Sequence, residues 1–411
     1  MSVLKGKKVL LGISGGIAAY KTASIVRLFI KAGAQVQVIM TPASKDFVTP
    51  LTLSVLSKNP VYSTFFDKEI ADTLTPQEDS KELWNNHVEL GLWADIILIA
   101  PATANTMSKM ANGICDNLLL AVYLSAKCPV YFAPAMDLDM YKHPSTLNSF
   151  QKLQEFGNLM IPAEIGELAS GLSGEGRMAE PENILAFIEV DIEKKLPLYG
   201  KSILITAGPT YEAIDPVRFI GNHSSGKMGF DIANRAAELG AKVYLVSGPT
   251  HCKTHYSSIK VFPVVSAKEM YSKCHELYDQ VDVAIAAAAV ADYRPKMVAE
   301  QKIKKAADSF VIELEKTQDI LASLGASKQH QLLIGFALET ENEIENAKLK
   351  IQKKNLDLIV LNSLQDEGAG FGKSTNKITF IDKNFIVEPM DLKTKTAVAI
   401  DIMNKVCAYF K

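Results

Sequence analysis

Two stretches of this 411-residue chain, opening near residues 7 and 201, each run from a buried-strand pattern through a glycine-rich turn into helix-patterned sequence. Around them, short apolar runs alternate with helical segments in both halves. These observations predict an α/β protein of two Rossmann-like, doubly wound domains with mainly parallel sheets. The length agrees, because a single core rarely grows beyond about 250 to 300 residues.

Composition excludes several classes. With 48% hydrophobic and 22% charged residues and a formal net charge of -2, the chain has the make-up of an ordinary soluble protein. Nothing in that balance attracts nucleic acid or an anionic membrane, so any anion site must come from local geometry. The five cysteines, Cys115, Cys128, Cys252, Cys274 and Cys407, include no C-x-x-C pair and read as reduced thiols, not as a disulfide framework or zinc site. The opening MSVLKGKKVLLGISGG reads as a first strand and not as a signal peptide, and no apolar run reaches about 18 residues. The expected location is the cytoplasm, with no membrane or nucleic-acid partner.

In the first half, residues 7–13 are predicted as a strand, 17–31 as a helix stopped by Gly33, and 35–40 as a second strand, which together make a right-handed βαβ unit. The turn Gly12-Ile13-Ser14-Gly15-Gly16 offers hydroxyls and N–H groups at a helix start but lacks the G-x-G-x-x-G spacing. Met40-Thr41-Pro42 stands where a dinucleotide's ribose needs an acid, so a mononucleotide such as FMN fits better than NAD. Residues 95–100 are the next buried strand, and Pro101-Ala102-Thr103-Ala104-Asn105 follows at its C-terminal end, where parallel sheets bind ligands. A helix cap at Thr103 is the alternative. His87 falls in the predicted loop NNHVELGLWAD, and alone it reads as a surface or packed histidine.

Charge and Pro/Gly punctuation over residues 189–200 place a boundary near residue 197, giving domains 1–196 and 197–411. Residues 202–207 form a strand that opens into a loop rich in Gly, Pro, Asn, His and Ser. Gly221, Gly226 and Lys227 fit the spacing G-x-x-x-x-G-K, but Met228 stands where a P-loop holds its metal with Ser or Thr, and AGPTYEAIDPVRFI separates the strand from these residues. A P-loop is therefore rejected. Residues 242–247, 281–288, 332–337 and 358–362 supply further strands of a mainly parallel sheet. Asp292 follows one of them and either caps a loop or holds a metal or ribose. Lys302-Ile303-Lys304-Lys305 alone reads as a solvated basic patch, and Lys350 and Lys354 share a helical face from which both could reach one triphosphate.

The second half carries T-A-G-P-T followed by D-P-V-R-F-I-G-N-H-S-S-G-K-M-G, and the first carries G-I-S-G-G-I-A-A-Y-K, T-P-L-T, H-V-E-L-G-L-W-A-D, A-P-A-T-A-N and P-A-M-D-L-D-M-Y in order. The whole resembles the bifunctional phosphopantothenoylcysteine decarboxylase/phosphopantothenate–cysteine ligases of coenzyme A synthesis. Its first half by itself is similar to the flavin-dependent cysteine decarboxylases.

For the first half the resemblance implies an FMN-binding fold assembled as trimers with shared sites. It implies FMN held by Gly12, Ser14, Gly15, Gly16, Thr41, Thr103 and Asn105, His87 as active-site base, and residues 134–141, with Met136 and Arg177, at the substrate. In that family FMN takes electrons from the cysteinyl thiol and returns them after the carboxylate has left. Two positions depart from the pattern. Asp137 replaces the usual Asn and repels a carboxylate unless protonated or turned away. Ser170 replaces the flap cysteine that protonates the product, and a hydroxyl is a far weaker acid than a thiol of pKa about 8.5. Both remain expected catalytic positions. Two alternatives stand beside this reading: an active ligase whose first half releases the oxidised enethiol, or one whose first half is a flavin-holding regulatory module.

For the second half the resemblance implies a dimeric ligase that joins 4′-phosphopantothenate to L-cysteine through an acyl-cytidylate, using CTP with Mg²⁺ or Mn²⁺. It implies Asn222 and Lys302 as catalytic residues and Arg218, with Asn222, at the substrate. The nucleotide positions it implies are Ala289, Asp292, Lys302, Gln318, Asp319, Ile320, Leu321, Phe336, Lys350 and Lys354, with Asp292 at the metal.

Overall fold

The computed structural model describes residues 2–66, 85–304, 311–339, 341–363 and 373–410. Lys305 of the basic run lies outside them. The chain divides into two compact units, Met1–Ile192 and Glu193–Lys411.

In the first unit, β1 (Lys8–Ile13), β2 (Gln35–Met40), β3 (Val61–Tyr62), β4 (Ile96–Ala102), β5 (Val130–Pro134) and β6 (Leu159–Met160) form one sheet. Its order is β3-β2-β1-β4-β5-β6, and every pairing is parallel. The strands are apolar on both faces because helices cover both. Val9, Leu11 and Ile13 belong to the cluster on one face, Leu10 to that on the other, and all four are fully buried. Each such side chain is worth about 1.5 to 3 kcal/mol. Chain order reverses between β1 and β4, so a crevice opens at their C-terminal ends. A hairpin, β7 (Glu164–Glu167) with β8 (Ser173–Arg177), stands apart from the sheet.

Two local expectations change. The segment 17–31 is a 3-10 turn, Ile17–Lys21, followed by the α-helix Thr22–Lys31. His87 lies not in a loop but at the first position of the helix His87–Trp93, whose start the Asn86 side chain fixes by accepting from Val88 N and Glu89 N.

In the second unit, β9 (Ser202–Ala207) is followed by a two-stranded ribbon, β10 (Tyr211–Ala213) with β11 (Phe219–Gly221), and then by the helix Lys227–Glu238. Next come β12 (Lys242–Ser247), β13 (Ile259–Pro263) and β14 (Val283–Ala286), and then the ribbon of β15 (Tyr293–Pro295) with β16 (Leu314–Lys316). The chain continues through β17 (Leu332–Glu339), β18 (Leu358–Ser363), β19 (Thr375–Asn376), β20 (Ile378–Asp382) and β21 (Val387–Pro389). The main sheet has the order β13-β12-β9-β14-β17-β18-β20-β21. Its first six strands repeat the parallel arrangement of the first unit, and β20 and β21 add an antiparallel edge. Chain order reverses between β9 and β14. β14 is shorter than the run 281–288, because Ala288 N leaves the ladder and donates to Thr206 Oγ1 at 3.1 Å. The stretch 189–200 carries the end of the helix Pro181–Lys194 before its turn. Among the described residues no helix is long and apolar enough to cross a membrane.

Candidate active sites

At the crevice of the first unit lies a cavity of about 980 Å³. Of the residues singled out by sequence, Gly15, Gly16, Thr41, Thr103, Asn105, Met136, Asp137 and Arg177 line it. Gly12 does not: a Cβ there would lie 2.4 Å from Leu119 Cδ1, so this glycine serves sheet-on-helix packing. Ser14 is buried behind the wall. Its Oγ donates to Pro101 O at 2.7 Å, accepts from Thr103 N at 3.1 Å and lies 3.0 Å from Thr103 Oγ1, which ties the β1 turn to the β4 turn. His87 and Ser170 also lie outside the lining; His87 sits edge-on to Phe65 with ring centroids 6.1 Å apart, and Ser170 is exposed at the hairpin tip.

This cavity fits a phosphate-ended mononucleotide on two observations. A Cβ on Gly15 would lie 2.9 Å from Ala43 Cβ, and one on Gly16 would lie 3.2 Å from Thr103 Cγ2, so the two glycines let this lining turn pack closely against Ala43 and Thr103. Thr41 Oγ1 is buried with no partner among the described residues, at a wall position where a ligand hydroxyl or phosphate would satisfy it.

Sequence reasoning missed Lys21 and Glu180. Lys21 is 6% exposed, and its Nζ donates to Met178 O and Glu180 Oε1, both at 3.0 Å, while Arg177 Nη2 reaches the same Oε1 at 2.5 Å. The signal was a lysine at the apolar start of a helix, which can be buried only if paired. The bond from Lys21 holds the Glu180 carboxyl below the usual glutamate range, with Arg177 adding to it and burial opposing. A carboxyl whose pKa is lowered by folding stabilises above its unfolded pKa and loses that contribution as pH falls through the folded value. Glu180→Gln is therefore expected to lower the thermal midpoint at pH 7, with the gap to wild type closing as pH falls below about 4. A gap independent of pH would remove the ion pair from the account.

In the second unit, the loop after β9 is organised by Asp215, which sequence reasoning also missed. Its buried carboxylate accepts from Val217 N and Arg218 N at 2.8 Å, from Arg218 Nη1 at 2.8 Å and from Ile303 N at 3.1 Å. Burial works to raise its pKa, but these backbone donors and the Arg218 guanidinium bring it below the ordinary aspartate value. An Asp accepting from the second and third following N–H groups is an Asx turn, legible in Asp-Pro-Val-Arg. Through Asp215 and the bond from Arg218 Nη1 to Ile303 O at 3.2 Å, the loop after β9 meets the lysine-rich segment. Lys302 itself is exposed and bonds to no described residue.

Asn222 Nδ2 donates to Ala289 O at 3.2 Å and to Val290 O at 3.1 Å, so the loop also closes on the end of β14. Asp292 is exposed, and its carbonyl accepts from Thr317 N at 2.9 Å, placing it beside the segment that carries exposed Gln318 and Asp319. Asp319 caps the helix Ile320–Ser327, which starts with buried Ile320 and half-buried Leu321. Phe336, half-buried in β17, packs on the core. Lys354 caps the helix Glu343–Lys353, and its N–H donates to Lys350 O one turn back at 3.0 Å; Lys350 Nζ reaches Glu339 at 2.5 Å and Lys354 Nζ reaches Asp319 at 2.8 Å. Lys227 turns to Asp231 at 2.8 Å, away from a P-loop role. Among the described residues no three His, Cys, Asp or Glu side chains gather as metal ligands. Asp292 fits a magnesium site only of the kind completed by phosphate oxygens and water.

Residues 2–193 match the flavoprotein family, and residues 198–409 match the DNA/pantothenate metabolism flavoprotein C-terminal domain. The chain is 41% identical over 411 residues to the coenzyme A biosynthesis bifunctional protein CoaBC of Bacillus subtilis, covering 100% of this chain and 98% of that one. It is 52% identical over 364 residues to a cysteine/cysteine sulfinic acid decarboxylase of an unknown prokaryotic organism, covering 87% of this chain and 98% of that one. A crystal structure of the C-terminal domain of a CoaBC protein is 45% identical over 52% of this chain and 98% of that one, with a TM-score of 0.45.

Proposed function

Because the chain belongs to the family of coenzyme A biosynthesis bifunctional proteins, we propose that its second unit uses CTP to join 4′-phosphopantothenate to cysteine and its first unit decarboxylates the product with FMN. The chain is a phosphopantothenate–cysteine ligase and a phosphopantothenoylcysteine decarboxylase, with the division placed at residues 196 and 197. The observation that carries the reading is the repeated reversal of chain order, at β1/β4, where a lined cavity opens, and at β9/β14, where Asn222 bonds to Ala289 and Val290 just past β14.

In the ligase half, Arg218 holds the substrate while Asn222, fixed on Ala289 and Val290, stands at the carboxylate to be activated. Lys302 would neutralise charge developing on the phosphates, and Asp292 would hold the Mg²⁺ that supplies further positive charge there, which is where fixed cations lower a barrier most. Lys350 and Lys354 exchange Glu339 and Asp319 for the triphosphate when nucleotide binds. Phe336, Gln318 and the start of the helix at Ile320 and Leu321 frame the nucleotide.

In the decarboxylase half, Gly15, Gly16, Thr41, Thr103 and Asn105 hold FMN, with Ser14 and Gly12 keeping the turn in place. FMN, when bound, accepts and returns the electrons of the cysteinyl thiol. Arg177 and Met136 position the substrate carboxylate, and Asp137 and Ser170 serve the protonation that replaces it. His87 stands outside the cavity of its own chain, so we assign it to the site of another copy, in a homo-oligomer built on trimers of the first unit and dimers of the second. Five cysteines outside any disulfide and a nucleotide substrate suit the cytoplasm.

Purified full-length protein is expected to be yellow, to release FMN on denaturation, and to release pyrophosphate from CTP only when 4′-phosphopantothenate and Mg²⁺ are both present. Colourless protein that cannot be reconstituted with FMN would remove the first assignment, and pyrophosphate release independent of phosphopantothenate would remove the second. A second reading is favoured by the 52% identical relative: the first unit also acts on cysteine or cysteine sulfinic acid themselves.

A further inference from the structure

We propose that the first unit's cavity reads a free α-amino acid as a zwitterion, with Arg177 receiving its carboxylate and Asp137 its ammonium, and that it thereby decarboxylates cysteine itself. This rests on the second reading above and assigns residues to it.

The two side chains spring from adjoining backbone. Met136 N donates to Gly176 O at 3.0 Å, and a Cβ on Gly176 would lie 2.4 Å from Met136 O and 3.6 Å from Asp137 O. Gly176, with φ +132, allows this approach, and it brings a cation and an anion to the same cavity wall. They are not spent on each other. Arg177 pairs with Glu180, and the side chain of half-buried Asp137 makes no hydrogen bond or ion pair to any described residue, its carbonyl alone accepting from Tyr141 N at 2.9 Å. Asp137 also stands at the cap position of the helix Leu138–Lys142 without its side chain capping it.

The other charges of the wall are engaged or peripheral. Lys109 pairs with Asp116 at 2.5 Å, Lys21 turns to Glu180 and Met178 O, and Glu167 lies on an exposed edge of the hairpin. A half-buried carboxylate with no cation beside it favours a ligand that brings one. An N-acylated cysteine brings only a carboxylate, whereas free cysteine presents both charges on one carbon. In the reaction the bond between the α-carbon and the carboxylate breaks, carbon dioxide leaves, and a proton takes its place, giving cysteamine with no net oxidation. The flavin of the proposed function would take electrons from the thiol and return them once carbon dioxide has left.

The test uses the flavin-loaded full chain and two inert probes, S-methyl-L-cysteine and N-acetyl-S-methyl-L-cysteine, measured by calorimetry, together with conversion of L-cysteine to cysteamine by mass. Wild type is expected to bind the free amine about tenfold more tightly than the acetylated probe, the size of one partly desolvated charge pair. In Asp137→Asn the two affinities should become nearly equal, with binding of the acetylated probe and the flavin spectrum retained as proof of folding. Asp137→Glu, which keeps the charge, should keep part of the preference. Cysteamine formation with an unchanged preference in Asp137→Asn would overturn the role of Asp137 and leave the second reading standing. Absence of both binding and cysteamine, in protein that still decarboxylates phosphopantothenoylcysteine, would overturn both.

Discussion

Lys302→Ala is expected to cut acyl-cytidylate formation by roughly thirtyfold or more while leaving the flavin spectrum unchanged. The exposed ammonium bonds to no described residue, so its removal disturbs no contact of the ligand-free chain. In the proposed ligation the same ammonium would face phosphate in a partly desolvated setting, where losing one partner costs about 2 to 5 kcal/mol. Pyrophosphate release measured at saturating CTP and phosphopantothenate separates this role from a solvated surface patch. A rate within twofold of wild type would return Lys302 to the patch.

Asp215→Ala is expected to lower ligation by on the order of a hundredfold, because one carboxylate serves four donors on two segments and charge-assisted bonds are lost together. The loss should appear in both kcat and KM, since Arg218 is held by Asp215 and Asn222 lies on the same loop. Asp215→Asn keeps one acceptor oxygen and should recover part of the activity. Steady-state kinetics of the two variants, with far-ultraviolet circular dichroism to confirm folding, make the comparison. Equal activity in Asp215→Ala and wild type would show that the substrate loop is shaped without this carboxylate.

The parallel core was legible because its strands are buried on both faces and read as plain apolar runs. β2, β9 and β12 match their predicted limits, and β18 differs by one residue. The antiparallel edge of β20 and β21 was not legible, since Val387–Pro389 is exposed and its pattern carries no core face. His87 was read into a loop because the cap that makes its helix comes from Asn86, a residue whose signal competes with that of a turn.

For the first unit, sequence singled out several residues that line the cavity and missed those that hold its wall. Gly15, Gly16, Thr103 and Asn105 stand out by pattern, but nothing in Lys21 announces that Glu180, 159 residues away, will share its charge. The same holds for Asp215 and Ile303, which only the folded chain brings together. For Lys350 and Lys354 the one-turn spacing was legible, since Lys354 N donates to Lys350 O, but the acidic partners Glu339 and Asp319 that take up their ammonium groups were not.

The central claim is that one chain carries out both steps, and the most direct measurement follows the carboxyl carbon of cysteine. Full-length protein would be incubated with 4′-phosphopantothenate, CTP, Mg²⁺ and L-cysteine labelled with ¹³C at its carboxyl group, and the products identified by mass. The account predicts unlabelled 4′-phosphopantetheine, labelled carbon dioxide and one CMP per 4′-phosphopantothenate consumed. Labelled phosphopantothenoylcysteine accumulating without carbon dioxide would contradict the decarboxylase half, and CTP left intact with no coupled product would contradict the ligase half.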